Sequence, residues 1–255
     1  MDLALLLGGA FLAGLVDAIV GGGGLIQIPL LFGAYPDAGA ATVFGTNKLS
    51  AVFGTASAAA RYFRRVEVPW RAALPAAGAA FVASYFGAMT VSALPEALLK
   101  PLVLVLLVVV GCYTLLRGDF GRVDRGLHLG GRQMFGALVL GGGIGFYDGF
   151  FGPGTGSFLI FLFVRFFGFD FLRASATANV VNVMTNVAAL ICFGSGGQVM
   201  WQLGLAMAFC NVAGALVGSQ LALRHGSRFV RRLFLVVVLI LIVRFAGELL
   251  QSWSQ

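Results

Sequence analysis

Eight apolar stretches run along the chain at residues 3–33, 40–60, 72–94, 98–116, 134–164, 174–193, 201–223 and 229–250. Most approach the twenty or so residues that a helix needs to cross the hydrocarbon core of a bilayer. Two of them, 3–33 and 134–164, run about thirty residues and are too long for one ordinary span. Each is interrupted at its centre, by Gly21–Gly24 in one and by Gly152-Pro153-Gly154 in the other. Glycine and proline end regular helix, so each long stretch is predicted to fold as a hairpin whose ends return to the same face of the membrane. Counting a hairpin as one re-entrant element gives eight segments and counting its arms gives ten; the spacing leaves both open.

The two breaks belong to a repeat. Gly14-Leu-Val-Asp17-Ala-Ile-Val-Gly21 aligns with Gly145-Phe-Tyr-Asp148-Gly-Phe-Phe-Gly152 at an offset of 148 − 17 = 131. The same offset places Thr46 on Thr177, Lys48 on Asn179, Thr55 on Asn186, Trp70 on Trp201 and Gly87 on Gly218. A register held without gaps over several segments marks a duplication. The halves are 1–116 and 133–255, joined by the polar, glycine-rich linker 117–132.

Charge sets the orientation of the halves. Loop 61–71 carries Arg61, Arg64, Arg65 and Arg71, whereas its counterpart 194–200 is uncharged. Loop 224–232 carries Arg224, Arg228, Arg231 and Arg232, whereas its counterpart 95–100 holds only Glu96 and Lys100. Positive loops stay on the cytoplasmic side, so the halves are expected to lie upside-down to one another. Loops 61–71, 117–132, 165–173 and 224–232 then face the cytoplasm, and both termini, Asp37 and 194–200 face the periplasm. The expected fold is an all-α integral membrane protein of two inverted repeats, each a glycine-broken hairpin followed by three transmembrane helices.

Only 11% of the residues are charged, against roughly 25% in soluble domains. The net charge of +7 sits in short loops between apolar spans, which is membrane topology and not a nucleic-acid surface. Cys112, Cys192 and Cys210 lie inside apolar stretches without CxxC spacing, and His128 and His225 fall in loops. No metal-ligand spacing, nucleophile–base arrangement or G-x-x-x-x-G-K-[ST] loop is present, so neither a metal, a cofactor, an enzymatic activity nor ATP-driven pumping by this chain is expected. Residues 3–20 lack a basic leader and have a mid-chain counterpart, so they are expected to remain in the mature protein.

The polar residues inside the spans are few. A broken membrane helix bares backbone groups that are tolerated only in protein or beside a cavity, and the half-helix after the break points its positive N-terminal end inward, where it holds anions. Gly22, Gly23 and Gly24 in one tip and Gly154 and Thr155 in the other are therefore candidate anion contacts, with close helix packing as the competing reading of the glycines. Lys48, in Gly45-Thr46-Asn47-Lys48-Leu-Ser50, is the sole lysine within a span; it is expected to face a cavity or a counter-charge unless it snorkels to the interface. Asn179, Asn182 and Asn186 repeat at spacings of three and four and share one helix face, as interhelical glue or as the wall of a path. Asp17 and Asp148 are equivalent acids deep in the spans, candidates to carry a coupling proton or to brace the hairpins, with Asp17 a candidate partner for Lys48. Gln27, Thr46, Asn47 and Tyr147 complete the candidate site. Trp70 and Trp201 mark opposite interfaces.

Together GLVDAIVGGGGLIQIP (14–29), GTNKLS (45–50), GFYDGFFGPGTGSF (145–158) and the Asn179–Asn186 stripe resemble the TauE/SafE family, the sulfite-exporter-like membrane permeases. The resemblance covers essentially the whole chain. It implies transport across the bacterial inner membrane of a sulfur-containing anion such as sulfite or an organosulfonate, and the duplicated architecture. One departure is Asn179, where related sequences often carry a lysine. The expected function is secondary transport of a small anion by alternating access, with a proton or cation as candidate coupling ion. An anion channel is the alternative, and a non-transport intramembrane protein stands further behind.

Overall fold

The computed structural model describes residues 3–91 and 130–253. The longer regular elements among them are all helical: α1 (Leu3–Val20), α2 (Gly24–Ala34), α3 (Ala40–Phe63), α4 (Trp70–Met89), α5 (Gly131–Phe150), α6 (Thr155–Phe167), α7 (Phe171–Ser195) and α8 (Trp201–Trp253). The apolar stretch 98–116 and nearly all of the linker lie outside the described residues. Both long apolar stretches divide at their glycines into separate helices, α1 with α2 and α5 with α6. α8 joins the two C-terminal stretches across a break at Gly226, whose φ of 70° is open to glycine. Four of the described helices contain stretches long and apolar enough to cross a membrane: Leu3–Val20, Trp70–Met89, Phe171–Ser195 and Trp201–Ile240. α2 and α6, with 11 and 13 residues, measure about 16 and 20 Å at 1.5 Å per residue, short of the roughly 30 Å hydrocarbon core.

Local chemistry sets several boundaries. The Asp170 carboxylate accepts a hydrogen bond from the Arg173 amide at 2.7 Å and caps α7. Gly168, with φ 70°, ends α6.

Packing follows the offset of the repeat. α1 lies along α8 and α4 along α5, while α3 and α7 pack on each other at the centre, α3 also touching α8 and α7 also touching α4. Lipid gives apolar helices little reason to associate, so membrane helices rely on small residues that admit close backbone approach. A methyl at Gly14 would strike the Asn211 carbonyl, and one at Gly145 would strike Ala80; 145 − 14 and 211 − 80 both equal 131. Gly87 against Phe146 and Gly218 against Leu15 form a second such pair of contacts. At the centre Asn186 and Thr55, themselves 131 apart, face each other with Nδ2 and Oγ1 separated by 3.5 Å.

The loops sort to two ends. Arg61 donates to the Leu216 carbonyl at 2.9 Å, Arg173 Nε to the Glu67 carbonyl at 3.0 Å, and the Leu172 amide to Ser227 Oγ at 3.2 Å. Loops 61–71, 165–173 and 224–232 thus share one end of the bundle. Loop 194–200 meets the start of α3, where the Met200 amide donates to Thr46 Oγ1 at 3.0 Å. Trp70 and Trp201, 46% and 51% exposed, start the helices that leave these two ends.

Gly145→Ala and Gly142→Ala isolate the effect of close packing, since the new methyl meets Ala80 at 2.5–2.6 Å in the first and nothing within 4 Å in the second. Gly145→Ala is expected to cost about 1–3 kcal/mol and to lower the unfolding midpoint of the detergent-solubilised protein, with Gly142→Ala at or slightly above wild type. Equal midpoints would refute the packing.

Candidate functional site

The site is built where the two hairpin tips touch. After α1 the chain turns through Gly21 and Gly22, with φ of 72° and 108°, and α2 starts back beside Ala13 and Asp17. After α5 it turns through Gly152 and Gly154, with φ of 87° and 84°, into α6. The tips meet backbone to backbone: Gly21 lies against Gly156 and Ser157 so closely that neither glycine has room for a side chain. Ser157 Oγ locks the contact by donating to the Val20 carbonyl at 2.9 Å.

Equivalent acids at the two tips do different work. Asp17 Oδ1 accepts hydrogen bonds from the Gly22 and Gly23 amides, each at 3.0 Å, so the carboxylate occupies the amide nest of its own hairpin. The residue equivalent to Gly22 is Pro153, which has no N–H to donate. The second hairpin therefore cannot hold its acid in the same way. Asp148 turns instead to Lys48 of the first half, Nζ to Oδ2 at 2.7 Å, with side-chain exposures of only 4% and 6%. Lys48 lies within the 24-residue α3; its ammonium is held in the interior and does not reach the interface.

Around this ion pair lies a small cavity of about 30 Å³, lined by Asp17, Gly22, Gly24, Asn47, Lys48, Ala51, Asp148, Gly152, Thr155, Gly156, Asn182 and Asn186. That is room for about two water molecules. Asn47 Oδ1 and Asn182 Oδ1 are buried without a hydrogen-bond partner among the described residues. Buried amides are rarely left so, which makes the wall of this cavity unusually open to a polar guest.

The candidate residues divide. Gly22, Gly24, Asn47, Lys48, Thr155, Asn182 and Asn186 line the cavity together with Asp17 and Asp148. The others brace it. Gly23 supplies an amide to Asp17, and Gln27 Nε2 donates to Ser50 Oγ at 2.8 Å. Thr46 donates to the Thr42 carbonyl and receives the Met200 amide. The Tyr147 hydroxyl donates to the Pro153 carbonyl, Gly154 forms the left-handed cap of α6, and Asn179 Nδ2 donates to the Ser175 and Ala18 carbonyls. Two expectations are corrected. Lys48 pairs with Asp148 and not with Asp17, because the amides of Gly22 and Gly23 already engage Asp17. For the same reason those two amides are not bare groups awaiting an anion. Gly152, part of the predicted hairpin tip, lines the cavity as well, and Ala51 and Gly156 are lining residues that sequence reasoning passed over; Ala51 follows Lys48 by three positions and shares its helix face.

Lys48→Ala leaves a buried carboxylate without its partner, and Asp148→Ala leaves a buried ammonium; each is expected to cost about 3–5 kcal/mol. The double variant Lys48→Ala/Asp148→Ala should recover most of that loss. Unfolding midpoints for the four proteins check this, and purely additive losses would show the pair to be uncoupled.

Comparison with known proteins identifies a family of membrane transporters. The sequence model of the family described as "Sulfite exporter TauE/SafE" matches residues 6–245. "Probable membrane transporter protein YfcA" of Escherichia coli K12 is 38% identical over 231 residues, covering 89% of this chain and 83% of that protein. "Probable membrane transporter protein ORF9" of Sinorhizobium sp is 37% identical over 247 residues, covering 96% and 93%. A "Probable membrane transporter protein" of Haemophilus influenzae is 34% identical over 252 residues, covering 98% and 96%. No solved structure matches. With a family match over nearly the whole chain and relatives of this identity aligned almost end to end, the chain belongs to the TauE/SafE family of membrane transporters.

Proposed function

We propose that the chain is a secondary transporter of a small anion, a sulfur oxyanion such as sulfite or an organosulfonate, moved by alternating access through the cavity between the hairpin tips. The observation that carries this reading is the buried Lys48–Asp148 pair at 2.7 Å beside the N-terminal end of α6. In the closed form the Asp148 carboxylate stands where a soluble anion would stand. A sulfonate or sulfite oxygen accepts the same charge-assisted hydrogen bond from Lys48, and Thr155, Asn182 and Asn186 supply further polar contacts. When the anion displaces Asp148, a buried carboxylate is left without a counter-charge, which is costly. Protonation of Asp148 restores the balance: Lys48⁺ with Asp148⁻ becomes Lys48⁺ with the anion and neutral Asp148. Anion and proton would then travel together.

The halves 1–116 and 133–255, about the 117–132 linker, are read as inverted copies. Three findings support that: the reciprocal packing of α1 on α8 and α4 on α5, the glycine contacts repeated at an offset of 131, and the Thr55–Asn186 contact between equivalent positions. Two structures related in this way, and sealed at the centre, can open to one side or the other by equivalent motions. The end that gathers Arg61, Arg64, Arg65 and Arg224 is assigned to the cytoplasm of the bacterial inner membrane by its positive charge, which leaves both termini in the periplasm.

Purified protein in proteoliposomes is expected to take up sulfite or an organosulfonate saturably, with counterflow and with faster uptake under an inward proton gradient. The Lys48→Ala/Asp148→Ala variant, which keeps the fold, should lose about tenfold or more of that uptake, the worth of a hydrogen bond to a charged group. Ohmic current without counterflow would replace the carrier by a channel, and wild-type uptake in the double variant would remove Lys48 from the site.

A further inference from the structure

A second cavity, far larger than the central one at about 980 Å³, opens between α3 and α8 at the end where the basic loops gather. Arg61, Arg64, Arg65 and Arg224 surround it, and Ala60, Leu172, Leu216 and Leu223 contribute apolar surface to its wall. Arg61 is half-buried and fixed, its Nη1 donating to the Leu216 carbonyl at 2.9 Å. Arg64, Arg65 and Arg224 are exposed. Among the described residues no carboxylate lies within ion-pair distance of any of the four. Four guanidinium groups converge here with no protein counter-ion among those residues.

The direction of the opening separates this pocket from the transport site. Ser57, on its wall, follows Lys48 by nine positions, which is about half a turn round the helix at 3.6 residues per turn. The face of α3 that bears Lys48 looks into the bundle, and the face that lines this pocket looks outward. Lys48 is buried, and no residue that lines its cavity also lines the outer pocket, so an anion in the outer pocket does not sit at the central site.

We propose that this pocket binds the phosphodiester headgroup of an anionic phospholipid. Its two chemistries are stacked as such a lipid requires: guanidinium groups at the C-terminal end of α3 and beside the Gly226 break of α8, where headgroups lie, and an apolar wall alongside for the first part of the acyl chains. Guanidinium is planar, always charged and matched to phosphate oxygens in pairs, and basic pockets between membrane helices suit anionic headgroups. A soluble anion would use the arginines but leave the leucine wall bare. A zwitterionic lipid would bring its own cation into a pocket that already has four. Because Leu172 lies in the first turn of α7, the lipid would touch α3, α7 and α8 together and act as a clamp on the end of the bundle.

The test uses delipidated full-length protein in a neutral detergent. Phosphatidylglycerol in mixed micelles is expected to raise the unfolding midpoint saturably, while phosphatidylcholine at the same mole fraction does not, and inorganic phosphate at the same phosphate concentration does not. The variant R64Q/R65Q/R224Q spares Arg61 and its bond to α8. It should weaken the phosphatidylglycerol effect about a hundredfold in concentration, three arginines each contributing about fivefold. The charge-matched variant R71Q/R228Q/R232Q removes exposed arginines outside the pocket and should respond like wild type. Native mass spectrometry should find lipid retained by wild type and the control, and lost from the pocket variant. An equal response of the two triple variants would show only general attraction of a basic protein for anionic micelles and would overturn the site. A matching midpoint shift with inorganic phosphate would assign the pocket to a soluble anion and overturn the lipid.

Discussion

Everything at the centre of this protein is arranged around one lysine that lipid would not tolerate alone. A lysine at the middle of a membrane helix is costly by roughly 2.5–3.5 kcal/mol on insertion scales, and Lys48 is 3% exposed. Its partner comes from the other half of the chain, 100 residues on. That single contact holds α3 against the second hairpin tip, and with it the cavity wall from Asn47 to Ala51. Yet buried ion pairs are weak devices for stability, since apolar replacements of like volume often serve as well or better. On the function proposed above, the pair is a charge kept ready for exchange: a cation whose present anion another would replace.

Its exchangeability depends on a difference between the halves. Asp17 and Asp148 occupy equivalent positions, but Gly22 offers an amide where Pro153 has none. Asp17 is thereby bound into its own turn by two backbone hydrogen bonds. Asp148 has no such claim on it and crosses the seam to Lys48. The other side of the asymmetry is Asn179, which stands where Lys48 stands in the first half. A lysine there would lie beside the Ala18 carbonyl that Asn179 Nδ2 contacts at 3.3 Å and would add a second cation to the centre. With asparagine the centre holds one cation, one acid committed to structure and one acid free to let go. On the repeat proposed above, the equivalent positions share their geometry, and the differences at Pro153 and Asn179 separate their chemistry.

Much of the framework was legible because glycine and hydropathy act locally. The breaks at Gly21–Gly24 and Gly152–Gly154 needed no knowledge of the fold, only that about thirty apolar residues cannot make one span. The meeting of the basic loops followed from their charge. What the sequence left open was which polar residues face the cavity and which brace it. Asn179, Asn182 and Asn186 share a face, but the Ser175 and Ala18 carbonyls take the amide of Asn179 as glue, while Asn182 and Asn186 reach the cavity. Helical spacing gives the face and not the neighbour. The partner of Lys48 was hidden for a related reason: two equivalent aspartates look alike until their backbone donors are counted. Pro153 was the readable signal, since a proline at the tip removes the amide that would have kept Asp148 at home.

The same contacts indicate where motion can occur on the proposed mechanism. The α1–α8 and α4–α5 pairs are set face to face by glycines whose neighbours leave no room even for a methyl group, so they resist sliding and behave as bodies. The seam between α3 and α7 is different. Its central polar contact, Asn186 to Thr55 at 3.5 Å, is at the long limit of a hydrogen bond and joins two equivalent residues that lose little by parting. Beside that seam the Lys48–Asp148 pair joins α3 to α5, and so ties the α1–α3–α8 group to the α4–α5–α7 group. On the proposed mechanism, an anion that takes Asp148's place on Lys48 would do two things at once: fill the site and release one tie between the α1–α3–α8 and α4–α5–α7 groups. On that reading opening is coupled to occupancy, because the group proposed to recognise the substrate also helps to hold the two groups of helices together.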